Sequence, residues 1–412
     1  MVAMALDTLR PVTDPWATVS HDEFRRRQEL VRQAAAEQGF DGAIVWSRGG
    51  AFMDMSQDVL YLTGHYSQQP YMGDEAGIGT ARSHGVCILP ANGPVTVVVD
   101  IPWWRRDLVV ADDVRPSIDV AGTTAEAIRD LGLEGRKLAL VGASYMTAAA
   151  YLGMTSLQPT TQFVRADRLV EKFRAIKSPA EAQLIRQACH LGSLAMDDMM
   201  EAVVTGATEA EAAAEAARTL VRGGAVLYDA PCASGRNSHF FTSARLPSAD
   251  PVRRMEKGDL FHVDFYGSYG GYFFDFARSR AIGDDPSKAQ RDLLNAPIEL
   301  VETICDAIRP GLTAGDLYSV GDAWLTESAV VAGLPKEEPE MDGFPALGHG
   351  IGMMWEAPWI MADDPTPIEP GMYLAIEILL GHPSTGGAMF EQNGLVTDTG
   401  FEVLTTARKR WW

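Results

Sequence analysis

The chain is short of several things, and each shortage removes a class of function. No run of 18 or more apolar residues occurs in the sequence, so no transmembrane helix is expected. Basic residues are outnumbered, 35 Lys and Arg against 55 Asp and Glu, for a net charge of −20. Nucleic acid and anionic membranes both select a basic footprint, and both are excluded as main partners. There are four cysteines, Cys87, Cys189, Cys232 and Cys305, widely spaced and without a C-x-x-C pair. That spacing fits reduced thiols in a cytosol better than a disulfide framework. The opening MVAMALDTLRPVTDPW lacks a basic segment followed by an apolar one. No secretory leader is expected, and the protein reads as cytoplasmic.

What is present is enough apolar residue, 46% of 412, for more than one core. Two domains are the natural expectation at this length. Residues 1–167 alternate helical and strand patterns. HDEFRRRQELVRQAAAEQGF (21–40) has helical spacing, whereas DGAIVWS (41–47), HGVCILP (84–90), GPVTVVVDIP (93–102) and RKLALVGA (136–143) are short β-branched runs. This is the pattern of an α/β domain. From 168 onward the texture is α+β. Ser178, Pro179 and Glu181 form a helix start with a capping box. A second helix follows at 208–224. Strands at 259–266, 272–280, 372–380 and 386–398 then come in blocks with helices at 287–308 and 314–331.

The chemistry sits in those strands. HVDFYGSYGGYFFD (262–275) reads as a hairpin carrying Asp264 and Asp275, eleven residues apart, on one face. Two carboxylates so close repel unless one is protonated or a cation lies between them. Downstream, GHGIG (348–352), LAIEILL (374–380) and MFEQNGLV (389–396) each carry one ionisable residue in an apolar or glycine setting: His349, Glu377 and Glu391. Each alone reads as a hydrogen-bonded edge residue. Together they make an oxygen-rich set suited to Mn²⁺, Fe²⁺, Co²⁺ or Zn²⁺, large enough for two ions sharing carboxylates.

This order of ligands resembles the creatinase, aminopeptidase P and prolidase superfamily. KFRAIKSPAEAQLIRQA (172–188) resembles the opening of its catalytic domain, and VLYLTGHYS (59–67) resembles a phrase of its N-terminal domain. The resemblance implies a creatinase-type α/β N-terminal domain and an α+β "pita-bread" catalytic domain. It implies that Asp264 chelates one metal and His349 and Glu377 the other, with Asp275 and Glu391 bridging. It implies hydrolysis of a C–N bond by a metal-bridging hydroxide, with Glu377 relaying the proton. A homodimer is expected, because in this superfamily a neighbouring N-terminal domain often caps the active site.

Three departures stand out. Those peptidases carry a second histidine in a phrase H-E-x-P; here the phrase is WEAP, which puts Trp355 at that position. Their arginine two residues before the last glutamate is Met389, and the slot five after Asn237, usually histidine, is Thr242. His239 lies three residues earlier and is the substitute candidate for catalysis. His262, two before Asp264, faces the same side. The superfamily's dimethylsulfoniopropionate lyases put an extra aspartate there, so His262 reads as a sixth ligand, a partner of Asp264, or a core histidine bonded to backbone. Trp355, His262, Tyr66 and Trp103 are the candidate substrate contacts. The leading expectation is a dinuclear-metal hydrolase acting on an Xaa-Pro dipeptide or another small molecule. The rivals are a metal-dependent lyase built on the same ligands and a non-catalytic binding module.

Overall fold

The computed structural model describes residues 15, 18–49, 55–75, 77–243, 249–283, 285–334 and 345–412. Most of the opening segment read above for a leader lies outside them. The chain divides into two compact units, Val19–Arg174 and Ala175–Trp412, with Pro15 and Thr18 belonging to the second.

In the first unit Ser20 accepts the Glu23 N–H and starts helix α1 (His21–Glu37). Its buried Phe24, Val31, Ala34 and Ala35 make one apolar face. Strands β1 (Gly42–Arg48), β2 (His84–Pro90), β3 (Thr96–Val99), β4 (Asp113–Pro116), β5 (Lys137–Val141) and β6 (Gln162–Arg165) form one sheet in the order β4-β3-β2-β1-β5-β6. The pairs β1–β2 and β2–β3 are antiparallel; β1–β5, β5–β6 and β3–β4 are parallel. Helices α2 (Gln57–Thr63), α3 (Val120–Asp130), α4 (Ala148–Ser156) and α5 (Arg168–Arg174) complete the unit. Strands β2 and β3 are buried along their whole length, which explains why they read as unbroken apolar runs. The boundary falls at 174/175, seven residues beyond the 167/168 expected. Arg174 reaches Asp58 at 3.2 Å, and the Tyr61 hydroxyl donates to the Phe173 carbonyl at 3.0 Å, so α5 is tied to α2.

The second unit opens at the capping box foreseen at Ser178 and Glu181, which starts helix α6 (Pro179–Ala202). Another box at Thr208 and Glu211 starts α7 (Glu209–Arg222). Strands β7 (Val226–Asp229), β8 (Cys232–Ser234), β9 (Leu260–Tyr269) and β10 (Tyr272–Ala281) make one sheet, with β9 pairing β7, β8 and β10. After helices α8 (Lys288–Ala307), α9 (Ala314–Glu327) and α10 (Ala329–Gly333) comes a second sheet. Its strands β11 (Gly348–Ile351), β12 (Trp355–Trp359), β13 (Tyr373–His382), β14 (Gly386–Val396) and β15 (Phe401–Val403) run in the order β12-β11-β13-β14-β15. Helix α6 packs on β9 and β10, and α8 packs on β13 and β14. Each sheet is thereby covered by its own helix.

The two sheets meet where β10 lies against β14, and polar side chains stitch that seam. Asn393 accepts the Asp275 N–H at 2.8 Å and donates back to the Asp275 carbonyl. The Ser279 hydroxyl donates to the Met389 carbonyl at 2.8 Å and accepts the Met389 N–H at 2.7 Å. Arg278 is fully buried and uses all five of its donors. They go to the carbonyls of Ala277, Glu391, Ala407 and Arg408 and to the Gln392 side-chain oxygen, at 2.7–3.2 Å. Its guanidinium also stacks over Phe390, 4.5 Å from the ring centroid.

Replacing Arg278 with methionine leaves those buried acceptors without donors. The expected loss is at least about 3 kcal/mol, since each orphaned buried group costs roughly 1–3 kcal/mol. Urea unfolding of the full chain checks this. Arg278→Lys is expected to recover only part, because an ammonium has three donors in place of a five-donor fork. A loss under about 1 kcal/mol for the methionine variant would contradict the account.

Candidate active site

The β9–β10 hairpin turns on Gly270 and Gly271, both at positive φ (59° and 86°), as a two-residue connection of this twist demands. That turn sets the register. Asp275 pairs with Tyr266 and Ala277 with Asp264. Residues directly opposite share a face, so the two aspartates are diagonal neighbours on one side of the hairpin. Across the seam, Glu377 and Glu391 sit directly opposite each other in the β13–β14 ladder. His349 pairs with Ala375 on β13, two residues before Glu377.

The glycines around His349 have a packing reason. A Cβ on Gly348 would come within 2.2 Å of the Ala375 carbonyl oxygen, and one on Gly350 within 2.4 Å of the Ala357 carbonyl oxygen. Neighbouring backbones therefore close in on both sides of the imidazole. Its Nδ1 lies 3.0 Å from the Gly350 carbonyl, which fixes the proton there. Its Nε2 is turned to the carboxylates, 3.4 Å from Glu377 and 3.7 Å from Asp275.

Five side chains thus converge as two overlapping groups, Asp275 with His349 and Glu391, and Asp264 with Glu377 and Glu391. In each group the ligating atoms lie within 4.8 Å of one another. Asp264, Asp275, His349 and Glu391 are buried. The Oδ1 atoms of Asp264 and Asp275 and both carboxylate oxygens of Glu391 have no hydrogen-bond partner. Burial raises the Asp264 carboxyl to about 7, helped by the negative charge of Glu377. Burial, and then Asp264, pushes Asp275 well above the usual carboxylate range. Burial, then Asp275 and Asp264, does the same to Glu391. For His349 burial works downward but is outweighed by the hydrogen bond and charge of Glu377 and by Asp275, so it is raised. Buried acceptors without donors, crowded until they hold protons, are the donor set of a divalent-cation site, and the residues fit such an ion.

The other candidates are not members of these two groups. The His262 ring Nε2 meets the Phe240 carbonyl at 2.8 Å, and burial lowers its pKa to about 4, so it is a neutral ring tying the 238–243 segment to β9. His239 carries a buried Nδ1 without a partner. The hydroxyl of Ser238 beside it accepts the Gly387 N–H at 3.1 Å. Gly387 is four residues from Glu391, roughly 13 Å along the strand. Trp355 is half-buried, and its indole N–H donates to Asp275 Oδ2. Tyr66 and Trp103 belong to the first unit, where Trp103 is 69% exposed. Cys232 is buried near Glu209, its thiol pushed well up by burial. Three supporting residues escaped the sequence reading: Asn393, Arg278, and Lys177, whose ammonium meets buried Glu356 at 2.6 Å. A charged or amide residue inside a buried strand was the available signal for the first two.

Residues 183–398 match Metallopeptidase family M24. The chain belongs to that family. Residues 27–176 match the Creatinase/Prolidase N-terminal domain. The Xaa-Pro dipeptidase of Pyrococcus furiosus is 29% identical over 253 residues, 60% of this chain and 68% of that protein. The probable dipeptidase PepE of Mycobacterium tuberculosis is 25% identical over 405 residues, 92% of this chain and 93% of its own. The solved structure of an Xaa-Pro dipeptidase from Bacillus anthracis superposes with a TM-score of 0.75 at 23% identity, covering 94% of this chain and 99% of its own. The expected fold is confirmed: a creatinase-type N-terminal domain and a pita-bread catalytic domain. As an M24 protein, the chain is a metal-dependent hydrolase.

The raised carboxyls give this M24 site a pH signature. Without metal, the folded site keeps protons that an unfolded aspartate releases above about pH 4. The stability these groups allow is complete below that pH and is lost as pH rises through about 7, the folded value for Asp264. Divalent metal replaces the protons. The rise in melting temperature on adding Mn²⁺ to chelator-treated protein is therefore expected to grow steadily from pH 5.5 to 8. An increment independent of pH would contradict this assignment.

Proposed function

We propose that this M24 protein is a dinuclear-metal hydrolase of a C–N amide bond, with Xaa-Pro dipeptides as the first substrate class to test. The observation that carries the reading is the sharing of Glu391 between two ligand groups, which is what two ions joined by a bridging carboxylate require. Asp264 would hold one ion, and His349 and Glu377, whose Nε2 and Oε1 lie 3.4 Å apart, the other. Asp275, which keeps one oxygen unpartnered, and Glu391 would be shared between them. Ions of the Mn²⁺, Fe²⁺, Co²⁺ or Zn²⁺ kind supply Lewis acidity toward a carbonyl and toward water. Glu377 is the more exposed member of its group, its side chain 13% accessible. That exposure supports assigning it the proton taken from the attacking water and returned to the leaving nitrogen. His239 is the second proton-transfer candidate. The exposure of Trp103 supports a homodimer in which a second copy presents Trp103 and Tyr66 to the site, and the reduced thiols support a cytoplasmic setting.

A lyase reading has one observation in its favour. Trp355 and Met389 stand where the related peptidases carry a histidine and an arginine, so polar groups that would orient a peptide are missing while the ligands are kept. Solvent oxygen separates the two chemistries. A hydrolase incorporates ¹⁸O from labelled water into its acyl product, and an eliminating lyase does not.

Protein purified without chelators is expected to contain close to two transition-metal ions per chain by plasma mass spectrometry. The Asp264→Ala/Glu391→Ala double variant is expected to lose both. Glu377→Gln should lower kcat about 10²–10⁴-fold, the usual worth of a positioned general base. A wild type that takes up no Mn²⁺, Co²⁺ or Zn²⁺ would sink the reading.

A further inference from the structure

We propose that Trp355 is a positioning residue for the metal site, holding the Asp275 carboxylate in its ligating orientation through the indole N–H. The inference rests on the reading above that divalent ions bind at Asp275. Asp275's main chain is fixed at both ends by Asn393, which engages its N–H and its carbonyl. Those bonds leave the carboxylate free to turn about its own side-chain bonds. Trp355 removes that freedom by donating Nε1–H to Oδ2, while Oδ1 stays buried and without a protein partner. One oxygen is thus held and the other presented. Indole nitrogen donates and never accepts, so the contact supports the ionised carboxylate, which is the form that binds a cation.

The tryptophan is itself held. Its ring meets Tyr266 edge-on, with centroids 5.0 Å apart, and Phe273 at 6.0 Å. The turn before it is anchored to β10 by the Phe273 N–H, which donates to the Gly352 carbonyl at 2.8 Å. The residue after it, Glu356, is locked by Lys177 in a buried ion pair at 2.6 Å. Donor, ring and backbone are therefore all placed before any ion arrives. Polar groups that orient a metal ligand typically change affinity about 10–100-fold when removed.

The test is Mn²⁺ affinity, measured by chelator competition on the full chain. Trp355→Phe keeps a ring and deletes the donor, and is expected to bind Mn²⁺ about 10–100-fold more weakly while keeping a wild-type circular dichroism spectrum. Trp355→His restores a ring N–H and is expected to recover most of the affinity, which a purely space-filling role would not predict. In wild-type protein labelled with ¹⁵N-tryptophan, the indole resonance missing from the Trp355→Phe spectrum is expected to shift on titration with diamagnetic Zn²⁺. Equal Mn²⁺ affinity in wild type and Trp355→Phe, or a Trp355 resonance that ignores Zn²⁺ while Zn²⁺ binds, overturns the inference and leaves the metal reading standing. Failure of the wild type to bind either ion overturns the metal reading instead.

Discussion

Carboxylates cannot be gathered in a buried place without something positive among them, and this constraint organises the catalytic unit. Asp264, Asp275 and Glu391 are each buried and each pushed up toward their protonated forms. Each alone would be costly to keep inside. Their common partner has to be small, highly charged and able to accept several oxygens at once, which describes a divalent cation. His349 contributes to the same balance. Its Nδ1 is committed to the Gly350 carbonyl and its Nε2 faces inward, the state in which an imidazole ligates.

A repulsive cluster holds its shape only if the backbone carrying it is fixed by other means. Here the converging side chains come from two sheets, and the rigidity comes from the seam between them. Asn393 grips the main chain of Asp275, and Arg278 grips the main chain of Glu391, so each sheet clamps a carboxylate-bearing residue of the other. These contacts run through backbone and leave the carboxylate oxygens available. Arg278 also brings a positive charge near a site that has an excess of negative ones. Burial lowers its pKa to about 9, still well above neutrality, and its full set of hydrogen bonds keeps the charge solvated by protein.

Much of this was legible in the sequence because the signals were local. The capping box at Ser178 and the glycine pair between two aromatic strands each reflect contacts within a few residues. The five side chains that converge were legible for a related reason: an isolated ionisable residue in an apolar strand is conspicuous, and five of them in order are a pattern. The seam was not legible. Asn393 lies 118 residues from Asp275, and nothing near either position says that they meet. Lys177 and Glu356 are 179 residues apart and look like ordinary surface charges until the fold buries both. The placement of α5 with the first unit was not legible either, because it rests on Arg174 meeting Asp58 and Phe173 meeting Tyr61, more than a hundred residues away.

Trp355 shows how much a residue's geometry adds to its type. From sequence it is an aromatic replacing a polar group, which suggests a wall for an apolar or cationic substrate. In the structure its ring meets Tyr266 and Phe273 and its polar atom is engaged by Asp275. A histidine can donate, accept or carry a proton between partners, and an indole can only donate. An indole at this position can therefore hold a carboxylate but cannot carry a proton between partners. In the proposed hydrolysis proton transfer then falls to another group, and Glu377, its side chain 13% accessible, is the first candidate.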